Sequence, residues 1–192
     1  LPDIPNATSA AVLVVSALTT QGAQSTIEAL RLGAADTLTK PNMVPGGKDS
    51  RGFGELLVEK VRALVSNRAH PRMIEAVSAR VRPLAVPLDF RGPLDVIAIA
   101  ASTGGPSAMF DLFANLDPFD DVPILVTQHL PPPFVPVLAE HLSRHARRPA
   151  LVAADGQKLR PGTIHLAPGT AHLGLARHRG SAVVHLDNSV AA

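Results

Sequence analysis

The sequence predicts an α/β fold made of two doubly wound parallel-sheet domains in succession, and three observations carry that expectation. Short apolar runs rich in Val and Ile, such as Ala10–Val15 and Val96–Ala101, have the pattern of strands buried on both faces. Stretches with apolar residues at helical spacing follow them, closed by glycine or opened by proline. The alternation occurs twice, on either side of a Pro- and Arg-rich segment at 66–92.

In the first pass, Ala10–Val15 (AAVLVV) is the first strand and Ser16–Thr20 the loop after it. Ser25–Leu32 reads as a helix, with Ile27, Leu30 and Ala34 near helical spacing and Gly33 as its stop. Asp36–Thr39 is a second strand, ended by Lys40-Pro41. Asn42–Gly54 holds Pro45, Gly46, Gly47, Gly52 and Gly54 and is expected to be a loop. Glu55–Val65 returns to helical periodicity through Leu57, Val61, Leu64 and Val65. From Ser66 to Gly92, arginines alternate with Pro71, Pro83 and Pro87, which suits an interdomain linker with a short helix around Met73–Val81.

The second pass starts with strand Val96–Ala101 and the tight turn Ser102-Thr103-Gly104-Gly105, where Pro106 opens a helix. Met109, Leu112, Phe113 and Leu116 give that helix one apolar face. Val122–Thr127 is the next strand, closed by Gln128-His129, and the length of the crossover makes the pair parallel. Helix Phe134–Arg147 and strand Ala150–Ala153 form a third cycle. Turns follow at Asp155-Gly156, Pro161-Gly162, Pro168-Gly169 and Arg179-Gly180, with strands at Thr163–Ala167 and Ala182–Leu186.

Composition narrows the function. Hydrophobic residues make up 46% and charged residues 18%, as in a core-forming chain. A net charge of +2 gives little reason to expect nucleic-acid binding. With no cysteine, disulfides, thiolate metal sites and cysteine nucleophiles are excluded. No segment reaches the roughly 18 consecutive apolar residues of a membrane-spanning helix, so no membrane insertion is expected. The first residues carry neither a signal-peptide pattern nor an initiator Met, which suits a piece of a longer chain.

Ligands of open parallel sheets bind beyond the carboxyl ends of the strands, and both Ser102 and His129 fall at such ends. A serine hydroxyl is a weak nucleophile until an imidazole accepts its proton. Gly104 and Gly105 let a substrate approach the backbone, and the N–H groups opening the helix suit an oxyanion. On spacing alone the same turn also fits a helix cap or a phosphate cradle. It lacks the first glycine of the G-x-S-x-G elbow, since Ala100 stands there. No lysine follows as in a P-loop, which ranks nucleotide binding last. His141 and His145, four apart on a helix, lack the Glu of H-E-x-x-H and a third ligand. An exposed helix face is expected there rather than a metal site. His172 fits either a groove lining or a turn; Asp155 and Asp187 read as surface residues at turns.

Ile99-Ala100-Ala101-Ser102-Thr103-Gly104-Gly105-Pro106 resembles the nucleophile segment of the chemotaxis-receptor methylesterases, the CheB family. Val126-Thr127-Gln128-His129-Leu130-Pro131 resembles that family's histidine segment, and Asp155-Gly156, Pro161-Gly162, Leu166-Ala167-Pro168-Gly169 and His172 match a third block in order. Val14-Val15-Ser16-Ala17-Leu18-Thr19, Leu32-Gly33-Ala34-Ala35-Asp36 and Lys40-Pro41 resemble the end of the receiver domain that precedes the esterase.

The resemblance implies a flavodoxin-like partial receiver at 1–65, a linker at 66–92 and the first part of a methylesterase domain at 93–192. It implies a cytoplasmic response regulator that hydrolyses glutamate methyl esters, and deamidates glutamines, on methyl-accepting chemoreceptors. Ser102 is the implied nucleophile and His129 the base and acid, with Thr103, Gly104 and Gly105 around them. Ser16 and Lys40 are the implied receiver switch hydroxyl and phosphate-contacting lysine, under an upstream histidine kinase, and a cis Lys40-Pro41 bond fits the family's pattern. No cofactor serves the esterase chemistry; Mg²⁺ is expected only for phosphorylation of an intact receiver.

Two departures matter. The family's third triad member is an aspartate in a Gly-rich loop downstream of the histidine, and no such loop follows His129 here. An unsupported histidine costs on the order of 10⁴ in rate, so these residues alone are expected to be nearly inactive. The receiver's acidic cluster and phospho-accepting aspartate are also absent before Ala10. The alternative is a regulatory or scaffolding homologue without catalysis.

Overall fold

The computed structural model describes residues 10–17, 19–41, 49–68, 94–115 and 121–189. Strand β1 (Leu13–Ser16) pairs parallel with β2 (Asp36–Thr39), Leu13 opposite Asp36 and Ser16 opposite Thr39. Helix α1 (Thr20–Arg31) joins them. It starts five residues before the sequence expectation because Thr19 caps it: its hydroxyl accepts the Gly22 N–H at 3.0 Å. Its end is as read, with Gly33 at φ +97°. The Lys40-Pro41 bond is trans rather than cis.

Helix α2 (Asp49–Arg68) overturns part of the loop expected at 42–54. Gly52 and Gly54 lie inside it, each with open space where a Cβ would stand. Glycine costs about 1 kcal/mol per residue there, and the regular helix continuing from Glu55 offsets it. The helix also runs to Arg68, past the expected end at Val65. Residues 42–48 and 69–93, with the helix expected at Met73–Val81, lie outside the described residues.

Strands β3 (Ile97–Ala101), β4 (Ile124–Gln128), β5 (Ala150–Val152) and β6 (Ile164–Leu166) form a four-stranded, all-parallel sheet in the order β3-β4-β6-β5. Helix α3 (Gly105–Ala114) follows β3, and a 3₁₀ turn (Pro132–Phe134) leads from β4 into α4 (Val135–Ala146). On α3 the core face is Pro106, Met109, Phe110 and Phe113. Leu112, expected inside, is 41% exposed, because Phe110 takes the place beside Met109 and Phe113. Strand β7 (His172–His178), absent from the sequence reading, pairs antiparallel with β8 (Ser181–Asp187) through a turn at Arg179-Gly180 with both φ values positive.

Residues 1–39 and 95–192 make one compact unit, and 40–94 a second. The first has a single core: Ala23, Ile27 and Leu30 of α1 cluster with Met109 and Phe113 of α3, Ile124 and Val126 of β4, and Leu138 and Leu142 of α4. Burying a side chain of this size contributes roughly 1.5–3 kcal/mol, so α1 is bound to the four-stranded sheet and its helices by apolar contact. In the second unit, Leu56, Val58, Val61 and Val65 of α2 are exposed. Among the described residues no helix is long and apolar enough to cross a membrane.

Candidate active site

Strands β3 and β4 end in register, Ala101 opposite Gln128. The ladder continues one step further, for the His129 N–H donates to the Ala101 carbonyl at 3.3 Å. Ser102 and His129 are thus the first residues past two aligned strand ends, on main chains about 4.8 Å apart. Both are exposed.

The turn after Ser102 is closed by the Gly105 N–H on the Ser102 carbonyl at 2.8 Å. Gly105 is buried, and a Cβ there would stand 2.7 Å from the Ala101 Cβ and overlap the Gln128 side-chain oxygen. Gln128 is 7% exposed and donates Nε2 to the Ser102 carbonyl at 3.0 Å. One buried amide at the end of β4 therefore holds the carbonyl of the first residue past β3. Its role went unread in the sequence, although a polar residue closing the apolar run Ile124–Val126 was the available signal.

Thr103 turns its hydroxyl to Asp36 at the start of β2, Oγ1 to Oδ2 2.9 Å. Asp36 is 8% exposed, and its Oδ1 accepts the Thr37 N–H at 2.7 Å. Beside it, the Gly104 N–H donates to the Ala35 carbonyl at 3.1 Å. The glycine-rich turn is thus held from the α1–β2 corner at two adjacent residues, a contact that no local pattern announces. Thr103 lies next to Ser102, as expected, yet its hydroxyl is engaged away from the imidazole.

A cleft of about 380 Å³ opens at these strand ends, lined by Ala100, Ala101, the stretch Thr127–Leu130 and the stretch Gly169–His172. Gly169, at φ +79°, brings the second wall onto the first: a Cβ would meet the Leu130 carbonyl at 3.0 Å. Of the two places open to His172, the structure selects the groove.

The remaining expected residues lie elsewhere. The Ser16 hydroxyl donates to the Gly22 carbonyl at 3.1 Å, and Lys40 is exposed. Asp155 accepts the Leu186 N–H at 2.8 Å and lies 3.5 Å from the His185 Nδ1. Asp187 accepts from Ser189, whose hydroxyl and then N–H hold its carboxyl below the usual range. Neither aspartate lines the cleft.

The helix face expected to be exposed at His141 is buried, at 8% exposure, because α1 packs on it. The His141 Nδ1 lies 3.8 Å from Glu28, which also holds Arg31. Desolvation, then Arg144, pushes the His141 pKa down. His165, fully buried in β6, is shifted down by desolvation and then by Arg160. Among the described residues no three His, Asp or Glu side chains gather to hold a metal ion.

A family model described as CheB methylesterase matches residues 97–191. The chain is 36% identical to a protein-glutamate methylesterase/protein-glutamine glutaminase of Rhodopseudomonas palustris strain CGA009, over 92% of this chain and 51% of that one. It is 38% identical to a namesake from strain HaA2, over 94% and 52%, and 38% identical to one from Caulobacter vibrioides, over 92% and 50%. The chain spans about half the length of these relatives. The crystal structure of the Thermotoga maritima CheB methylesterase catalytic domain is 36% identical, covering 51% of this chain and 52% of its own, with a TM-score of 0.47. Residues 97–191, which hold Ser102, His129 and the cleft, are thus similar to the CheB methylesterase family.

Proposed function

We propose that the chain carries the nucleophile and base of a protein-glutamate methylesterase/protein-glutamine glutaminase that acts in the cytoplasm on chemoreceptors, under a histidine kinase. The observation that carries this reading is the register of β3 on β4, which brings the positions of Ser102 and His129 side by side. His129 takes the Ser102 proton as Oγ attacks the ester carbonyl, and gives it to the departing methoxide, so methanol leaves. Water then attacks the acyl-enzyme with His129 again as base, returning Ser102 and a glutamate carboxylate. On a glutamine side chain the same steps release ammonia.

Among the described residues no carboxylate lines the cleft as the third member of a Ser-His-Asp triad, and Asp155 and Asp187 lie outside it. We therefore expect residues 1–192 to turn over feebly. Residues 1–65 are read as the end of a receiver, 66–92 as a linker and 93–192 as the esterase part. Among the described residues no cluster of carboxylates gathers for the Mg²⁺ of receiver phosphorylation: Glu28 holds Arg31, and Asp36 accepts from Thr37 and Thr103. No step runs through that ion.

A peptide with a glutamate γ-methyl ester tests the proposal through methanol release, alongside a serine-directed fluorophosphonate. Slow release and labelling at Ser102, both lost in Ser102→Ala, are the expected results. Absence of labelling in the folded chain favours instead a catalytically silent regulatory homologue. Fast release abolished by Ser102→Ala overturns the role given to the missing carboxylate.

A further inference from the structure

We infer that Gln128 is a positioning residue of the reaction: its side-chain amide clamps the main chains of Ser102 and His129 at the spacing that proton transfer between them requires. The inference rests on the hydrolase reading of these strand ends and adds a residue to its machinery.

Ile124 and Val126 of β4 face the core, and Gln128 continues their row at the strand period of two. Its side chain is buried, at 7% exposure, where an apolar residue would suit the packing. The NH₂ group carries two hydrogens and meets two carbonyls: Nε2 lies 3.0 Å from the Ser102 carbonyl oxygen and 3.5 Å from that of His129. The Ser102 carbonyl has a second lone pair, which takes the Gly105 N–H at 2.8 Å. One nitrogen therefore ties the first residue past β3 to the first residue past β4.

The other end of the amide shows what this arrangement costs. Oε1 is buried without a hydrogen-bond partner among the described residues, and an unpaired buried acceptor opposes folding. It rests against the buried Gly105, where a Cβ would overlap it. Turning the amide over would set an oxygen against two carbonyl oxygens, so the NH₂ end is fixed toward the site. A thioether of similar length would fill the same space with no orphaned polar atom; what it lacks is the two hydrogens. Packing alone thus disfavours an amide here, and what the amide supplies is the hold on Ser102 and His129. The proton passes between those two residues, and a misplacement of about 1 Å at such a pair costs on the order of 10²-fold in rate.

The test uses the full chain with Gln128→Met, Gln128→Glu, His129→Ala and the double variant of Gln128→Met with His129→Ala. The fluorophosphonate gives the labelling rate of Ser102, and amide hydrogen exchange gives the opening of the His129 N–H, which donates to the Ala101 carbonyl. Gln128→Met is expected to keep Tm within about 3 °C of the wild type, since the lost bond and the removed orphan offset one another. Its saturating labelling rate should fall about 10–100-fold with unchanged affinity for the probe, and the His129 amide should exchange about fivefold faster. Gln128→Glu keeps the size and loses the donor, and should label no faster than Gln128→Met. In the His129→Ala background, Gln128→Met should lower labelling by less than about threefold, because the pair it aligns is already broken. Wild-type labelling in Gln128→Met, or losses that multiply in the double variant, overturn the inference and leave the hydrolase reading standing. A large drop in Tm overturns it too, for the amide would then serve the fold. Faster exchange at His129 in a chain that never labels at Ser102 keeps the clamp and sinks the hydrolase reading.

Discussion

Gly105→Ala puts the packing of the site under the most direct strain. The added Cβ would lie 2.7 Å from the Ala101 Cβ, which is fixed in β3, and inside the Gln128 side chain. Overpacking of this kind costs about 1–3 kcal/mol. Turning Gln128 away to make room also loses its bond to the Ser102 carbonyl, about 1 kcal/mol more. The gain in helix propensity from alanine is at most about 1 kcal/mol, so a net loss of about 1–3 kcal/mol remains. For a chain of this size that lowers Tm by about 2–12 °C. Calorimetry of the purified chain measures it, and fluorophosphonate labelling reports whether Ser102 has moved. Gly104→Ala is the control: φ is +79° and the space is open, so only backbone strain of about 1–2 kcal/mol is expected. Adding Gln128→Ser to Gly105→Ala should recover part of the loss, since one of the two clashes disappears. A Gly105→Ala protein with wild-type Tm and labelling would falsify the close packing assigned to this turn.

Thr103→Val leaves the buried Asp36 carboxylate without its hydroxyl donor, and a loss of about 1–3 kcal/mol is expected by denaturant unfolding. A double-mutant cycle with Asp36→Ala should show coupling; strict additivity contradicts the contact. Ile27→Ala empties a fully buried place in the shared core and should cost about 2–5 kcal/mol. Because α1 shares that core, far-UV CD and a probe placed on α4 should melt together, whereas two separated transitions exclude a common core. His141 and His165 both have pKa values lowered by burial, so below the ordinary imidazole value of about 6.5 the unfolded chain binds more protons than the folded one. Stability should therefore fall as pH drops from 7.5 to 5, and His165→Gln should flatten the slope; a stability that rises on acidification contradicts the sign.

The sequence disclosed what local pattern encodes. Val- and Ile-rich runs located β1, β3 and β4 within three residues at either end, Asp36–Thr39 matched β2, and Gly33, Gly156, Gly162 and Gly169 all stand at turns with positive φ. The strand-end positions of Ser102 and His129 were legible because Ser102 follows the apolar run that ends at Ala101 and Gln128-His129 close the run through Thr127. What stayed hidden depends on long-range contact. Asp36 and Thr103 are 67 residues apart, and only the packing of α1 against α3 and α4 unites them. His141 looked exposed for the same reason, since α1 covers it. Strand β7 escaped because His172, Gly174 and Arg177 dilute its apolar signal, although its partner β8 was readable. Helix α2 ran through glycines that looked like a loop, because propensity is a weak prior beside the regular stretch from Glu55 onward.

The register of β3 on β4 is open to a covalent test that needs no activity, since the chain has no cysteine to compete. In Ser102→Cys combined with His129→Cys, two thiols stand one residue beyond the aligned pair Ala101 and Gln128. Parallel neighbours about 4.8 Å apart fall within the Cα range of a disulfide. Mild oxidation should give an intramolecular bridge between these two positions, seen by mass spectrometry of the folded protein. A folded double variant that keeps both thiols free contradicts the shared crevice on which the serine–imidazole chemistry depends.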